Sequence, residues 1–322
     1  MSDRTFVKTF IISACVMLLL IGGAVVVLDP FYHYHAPFFG LKTVLTESEY
    51  QGIGSVRNLD YDAILLGSSM AENNNNRWFD EAFSCTTIKG IKSSATIPDL
   101  MYLLDNAMEE HDLKYVFMNL DLFSFGEDPN LTFVDKNASI PKYLYNKNPF
   151  DDVQYLYNKD VLFKKLPVNF VKSLSDSYDE GESYNWWYDK EFSEEAVRRN
   201  SPLPCEDKSG NQLPVDDEYM NLVEANMRSI TERIEANPET VFIMFIPPYS
   251  DYFWESTRMD GLEDRYRYVL NVVPKALSSY DNSICHDFTG EEEITSNLDN
   301  YMDAMHFKPE INKWIVDEIS GN

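Results

Sequence analysis

Basic residues are scarce in this chain of 322 residues: 27 lysines and arginines stand against 53 acidic residues, for a net charge of −26. A surface of that sign repels phosphate backbones, which excludes nucleic acid as an expected partner. The same charge argues against docking on an anionic lipid surface, and against a polyanionic polymer unless a local basic groove intervenes. Cysteine is scarce too, with four residues whose spacing matches no zinc pattern. Cys15 falls in an apolar run, leaving Cys85, Cys205 and Cys285 for one possible disulfide and one spare thiol; the sequence does not choose the pair. Cys285 beside His286 reads as a strand end. Internal repeats, low-complexity tracts and a Gly-x-Ser-x-Gly elbow are all lacking.

Long apolar runs are also few, and the one present is at the start. Residues Thr9 to Leu28 carry no charged side chain and are long enough as a helix to cross a hydrocarbon core of about 30 Å. Arg4 and Lys8 precede the run and Asp29 follows it, so the positive-inside rule predicts a cytoplasmic N-terminus and an extracytoplasmic remainder. A cleaved signal peptide is the competing reading, but the run exceeds a usual signal core and no small-x-small site closes it. The expected organisation is a cytoplasmic segment over 1–8, a single-pass anchor over 9–28, an aromatic stalk over 29–57 and one domain over 58–322. A hydrophobic content of 44% supports one full-sized core. Within the stalk, Asp29-Pro-Phe-Tyr-His-Tyr-His-Ala-Pro-Phe-Phe cannot form a regular helix, and its His33 and His35 alternate with tyrosines, with no cysteine partner nearby in sequence.

Beyond the stalk, short apolar runs alternate with helical patterns. Tyr61–Leu66, Lys114–Leu120, Val241–Ile246 and, more weakly, Ser283–Phe288 read as buried strands. Helical periodicity covers Ile97–His111, Tyr219–Ala236 and Leu262–Ser279. This alternation predicts an α/β fold: a parallel sheet with helices on both faces, whose ligand site lies at the carboxyl ends of the strands. The interval from about 126 to 213 departs from the alternation and reads as an insertion. It is rich in Tyr, Asn, Asp and Trp, including Tyr184-Asn-Trp-Trp-Tyr188, which serves either to bind sugar rings or as the core of a small subdomain.

Two short motifs carry chemistry. The first strand runs into Gly67-Ser68-Ser69, which puts a serine at a helix N-terminus where free N–H groups can hold an oxyanion. Near the end, Asp303 stands three residues before His306, a spacing that lets the carboxylate fix the imidazole tautomer. Together they are the parts of a Ser-His-Asp nucleophilic site.

With these motifs the chain resembles the SGNH/GDSL hydrolase superfamily. The likeness is to its membrane-anchored, extracytoplasmic branch found with membrane-bound O-acyltransferases, such as the alginate acetylation and DltD-like teichoic acid D-alanylation proteins. Ile64-Leu-Leu-Gly-Ser-Ser-Met-Ala71 is similar to the first block of that family and Asp303-Ala-Met-His306-Phe to the last. Asp29-Pro-Phe-Tyr-His-Tyr-His and Phe245-Ile-Pro-Pro-Tyr-Ser250 also look like features of the branch. The resemblance implies a flavodoxin-like, three-layer SGNH fold and a serine acyltransferase or esterase without a cofactor. Ser69 would be the nucleophile, His306 the base and Asp303 its orienting partner. Oxyanion donors would come from Ser69 and from Gly90, Ser94 or Asn119, and substrate contacts from Ser68, Asp121, Pro248 and Tyr249. The family's second-block glycine and third-block asparagine have no secure counterpart here. The acceptor implied is a cell-surface glycan or teichoic-acid-like polymer, with a membrane-bound O-acyltransferase as partner. A catalytically silent scaffold binding the polymer or that enzyme is the alternative.

Overall fold

A computed structural model describes residues 3–136 and 140–321. The chain divides into two compact units, Met1–Leu59 with Ser139–Glu180, and Asp60–Ala138 with Gly181–Asn322. The interval read as one insertion, 126–213, is therefore divided twice, after 138 and after Glu180.

The larger unit is α/β. Five strands, β1 (Ala63–Gly67), β2 (Thr87–Ile91), β3 (Tyr115–Asn119), β4 (Val241–Ile246) and β5 (Ser283–Asp287), form one sheet in the order β2-β1-β3-β4-β5. Every pairing is parallel. This is the flavodoxin-like winding, in which a crevice opens between β1 and β3 where the strand order reverses. Burial explains the near-continuous apolar runs: Ile64, Leu65, Leu66, Val116, Phe117 and Met118 are all fully enclosed. The helix Ile97–Glu110 packs on β1, β2 and the helix Asp217–Ala236, which in turn packs on Glu263–Leu277. The helix Asn76–Phe83 meets β2 and the C-terminal helix Pro309–Ser320. The helices Ile97–Glu110, Asp217–Ala236 and Glu263–Leu277 start and stop within two residues of expectation.

β2 was not anticipated. Its sequence, Thr-Ile-Lys-Gly-Ile, places a lysine at the centre of a fully buried strand. Gly90, expected as an oxyanion donor in a loop, lies inside this strand opposite Leu66. A Cβ there would meet the Leu66 and Ile64 side chains at 2.8 and 2.9 Å. Its place is thus explained by strand packing.

The smaller unit begins with a helix over Asp3–Leu28, uniformly apolar along 9–28, mostly exposed, and long enough to cross a membrane. The stalk closes its end by local hydrogen bonds. The Asp29 carboxylate accepts from the Tyr34 and His35 N–H groups at 2.6 and 3.1 Å and from the Tyr155 hydroxyl at 2.7 Å. Burial pushes the Asp29 pKa up, against the pull of those donors. His33 Nε2 lies 3.2 Å from Asp152, while both His35 nitrogens meet backbone carbonyls, those of Ala36 and Val26. The two histidines thus face separate partners. The helix Ser48–Asn58 packs so closely on the stalk that a Cβ at Gly54 would sit 2.2 Å from the Phe31 carbonyl oxygen. All four cysteines are free thiols.

Candidate active site

β1 ends at Gly67, where a Cβ would come within 2.6 Å of Ala71 Cβ and 3.0 Å of Asn119 Cβ. Only glycine allows the chain to turn this tightly into the single helical turn Ser69–Glu72. Ser68 caps that turn, its Oγ accepting from the Met70 N–H at 3.3 Å. Ser69 is therefore the first helical residue, where an N–H group has no partner within the helix.

From the other end of the chain, Asp303 organises its own loop. One carboxylate oxygen accepts from the Met305 and His306 N–H groups at 2.9 and 2.8 Å, and the other lies 2.7 Å from His306 Nδ1. The loop is pinned by Tyr301 donating to the Pro248 carbonyl at 2.7 Å and by Ser250 donating to the Ala304 carbonyl. His306 Nε2 then stands 2.8 Å from Ser69 Oγ. Ser69, His306 and Asp303 are thus one hydrogen-bonded chain, consistent with Nδ1 carrying the proton and Nε2 facing the serine.

Electrostatics make the imidazole more basic than a free one. Burial alone pulls the His306 pKa down, but the hydrogen bond and charge of Asp303, with the Asp121 and Glu72 carboxylates, raise it above the usual 6.5. Burial pushes Asp303 up, and its bond to His306 and the loop N–H groups reverse this, leaving it below the usual 3.8.

The remaining expected residues divide into two groups. Ser68, Asp121, Pro248 and Tyr249 were expected to touch substrate; instead all are buried. They form the backing of the site: Asp121 receives hydrogen bonds from Ser68, from the Tyr249 hydroxyl at 3.1 Å and from Asn119 Nδ2 at 3.2 Å. Burial lifts the Asp121 pKa despite those donors and the His306 charge. Asn119 is turned to Asp121 by this bond, and its Oδ1 is buried with no partner. Ser94 is exposed, in a left-handed turn (φ +56°) of the loop that follows β2. That loop starts beside the site, with the Lys92 N–H donating to the Gly67 carbonyl.

Two contributors escaped the sequence reading, Glu72 and Lys89; a third, Trp186, belongs to the aromatic segment named there. The Trp186 ring lies edge-on to His306 at 5.4 Å; the Trp186 backbone N–H donates to Asn73 Oδ1 at 3.1 Å, and its side chain is hydrogen-bonded to the Glu72 carboxylate. Glu72 is mostly buried, which raises its pKa against the neighbouring Lys89 charge. Lys89, fully enclosed in β2, donates to the Glu72 and Ser183 carbonyls and to Asn185 Oδ1. Three acceptors suit the three N–H bonds of an ammonium, although burial pushes this lysine's pKa well down. The aromatic segment was visible in sequence, but nothing local tied it to β2. Beyond Asp303 and His306 opens a cleft of about 290 Å³, lined also by Phe253, Thr257, Leu262 and Tyr266.

No family model matches the chain, and no curated protein matches it in sequence. Among solved structures, one from Streptococcus pneumonia, provisionally described as a platelet activating factor, is similar at a TM-score of 0.41 and 10% identity. The match covers 84% of this chain and 88% of that one.

The pairing of His306 with Asp303 has a measurable consequence. The imidazole's raised pKa stabilises the fold below about pH 6.5 and that contribution fades as pH rises through the raised value. The carboxylate's lowered pKa stabilises it above about pH 3.8 and that contribution fades as pH falls. In an NMR titration of ring-labelled histidines, His306 titrates above 6.5, and Asp303→Asn lowers its pKa. An unchanged His306 titration in that variant contradicts the pairing.

Proposed function

We propose that this chain is a membrane-anchored, extracytoplasmic serine acyltransferase or esterase of SGNH-like type, acting on a cell-surface polysaccharide or related polymer. The observation that carries the proposal is the continuous chain Ser69 Oγ, His306 Nε2, His306 Nδ1 and Asp303, with contacts of 2.8 and 2.7 Å. In this reading His306 takes the Ser69 proton as Oγ attacks an acyl carbonyl. The tetrahedral oxyanion is met by the Ser69 N–H and a donor from the loop after β2. His306 then gives its proton to the leaving oxygen, and an acyl-serine remains. A sugar hydroxyl or water, deprotonated by His306, attacks that ester and restores Ser69. Asp303 keeps the imidazole in the productive tautomer throughout.

The acceptor class is supported by Trp186 beside His306 and by the stacked Trp187 and Tyr188 that follow it, since aromatic faces suit sugar rings. A membrane-bound O-acyltransferase as acyl source follows from the family resemblance. The extracytoplasmic orientation is supported by Arg4 and Lys8 before the apolar helix and Asp29 after it. Protease added to intact spheroplasts then degrades the domain; full protection of residues after Asp29 overturns the orientation.

One observation favours the silent scaffold as a second reading: of the expected oxyanion donors, Gly90 lies within strand β2 and the Asn119 amide is hydrogen-bonded to Asp121. Mutant kinetics on an activated acetyl ester separate the two. Ser69→Ala and His306→Ala each lower kcat by roughly 10⁶-fold, and the double variant is no worse than either alone. Asp303→Asn leaves a small residue of activity, a loss of about 10⁴-fold being the precedent for that change in a triad. Ser68→Ala is milder. Equal turnover in wild type and Ser69→Ala assigns the chain to the scaffold reading.

A further inference from the structure

The smaller unit exposes apolar side chains in a way the larger one does not. Between Phe150 and Leu174 the open side chains include Phe150 (88%), Phe163 (79%), Val171 (67%) and Leu174 (62%). The whole larger unit has five exposed large hydrophobics among its described residues, Leu131, Tyr188, Leu213, Val241 and Ile284, well separated along the chain. Contiguous apolar exposure of this kind needs a cover other than water.

The position of the segment relative to the N-terminal helix indicates the cover. Tyr157 donates its hydroxyl proton to the Leu18 carbonyl at 3.2 Å. At Gly22 a Cβ would sit 3.0 Å from that same hydroxyl oxygen, so the glycine admits the contact. The helices Val153–Leu156 and Leu166–Ser173 both pack on the N-terminal helix. Leu18 is ten residues before the end of that helix at Leu28. At 1.5 Å per residue this is about 15 Å, half of a hydrocarbon core of about 30 Å. A segment touching Leu18 is therefore below the headgroups if the helix spans.

Charge points the same way. Residues 150–174 carry Lys159, Lys164, Lys165 and Lys172 against Asp151, Asp152 and Asp160, a local net charge of +1 with the lysines gathered over 159–172, within a protein whose net charge is −26. Lysine stems can lie along apolar surface while their ammonium groups reach phosphates. The backbone also suits a dry medium: Asn158 Oδ1 accepts from the Asp160 and Val161 N–H groups, its carbonyl accepts from the Leu162 N–H, and Pro167 has no N–H to satisfy.

We infer that residues 150–174 are a second membrane-embedded element, seated in the outer leaflet against the spanning helix, with lysines at the anionic headgroups. This rests on reading residues 9–28 as a span. The net acidity of the chain argued against an anionic lipid surface, but net charge averages over a local reversal of sign. The occupant is lipid and not an integral membrane protein, because apolar exposure, basic charge and contact with the span occur together.

The test uses the unmodified full chain in phosphatidylcholine vesicles containing phosphatidylglycerol, with a diazirine on the lipid acyl chain and adducts located by peptide mass spectrometry. Adducts are expected in peptides from both 3–28 and 150–174. Adducts confined to 3–28 overturn the inference and leave the span intact; adducts in neither overturn the span itself. Combining Lys159→Glu, Lys164→Glu and Lys172→Glu should reduce labelling of 150–174 in the anionic vesicles while leaving 3–28 unchanged. Protection of 150–174 only after co-reconstitution with a membrane protein, without lipid adducts, overturns the lipid assignment in favour of a protein occupant.

Discussion

The hydrogen bond between Ser69 and His306 joins positions 237 residues apart, and nearly every feature of the larger unit bears on it. One end depends on β1 stopping at Gly67, where the approach of Ala71 and Asn119 leaves room for no side chain. The other depends on Asp303, which uses one oxygen to fold the Met305–His306 backbone and the second to hold the ring. Between them the parallel sheet brings the ends of β1, β3 and β4 to one edge, so that Tyr249 can back the serine turn through Asp121 while Pro248 receives Tyr301 from the histidine loop.

Three carboxyl groups influence one imidazole. Asp303 is held ionised by contact; Asp121 and Glu72 are buried and have raised pKa values. Like charges so close cannot all ionise without compensation. Lys89 supplies some of it from within β2, and two of its three acceptors, the Ser183 carbonyl and Asn185 Oδ1, also fix the turn that sets Trp186 against His306. The buried lysine thus links the charge balance of the site to the shape of its aromatic wall.

The parts of this fold legible in sequence were those with strong local periodicity. β1, β3, β4 and the helices Ile97–Glu110, Asp217–Ala236 and Glu263–Leu277 lie close to where apolar runs and helical spacing put them. β2 was hidden because a central lysine contradicts the apolar pattern of a buried strand, and its partners Ser183 and Asn185 lie 94 and 96 residues away. Ser69, Asp303 and His306 were legible as motifs, and they come together in space. The backing residues were misjudged: proximity to strand ends suggested Asp121 and Tyr249 for substrate, whereas burial turns them inward to each other. The grouping of residues 139–180 with the N-terminal segment had no local signal, since it depends on contacts such as Tyr155 with Asp29 across 126 positions.

The central claim is that Ser69 is an activated nucleophile, its proton taken by His306. Treating the intact protein with a fluorophosphonate and locating the adduct by peptide mass spectrometry tests this most directly. The account predicts a single phosphonyl adduct on Ser69, absent in His306→Ala at the same exposure. An unmodified Ser69 in protein that retains its fold, or an adduct formed equally without His306, contradicts it.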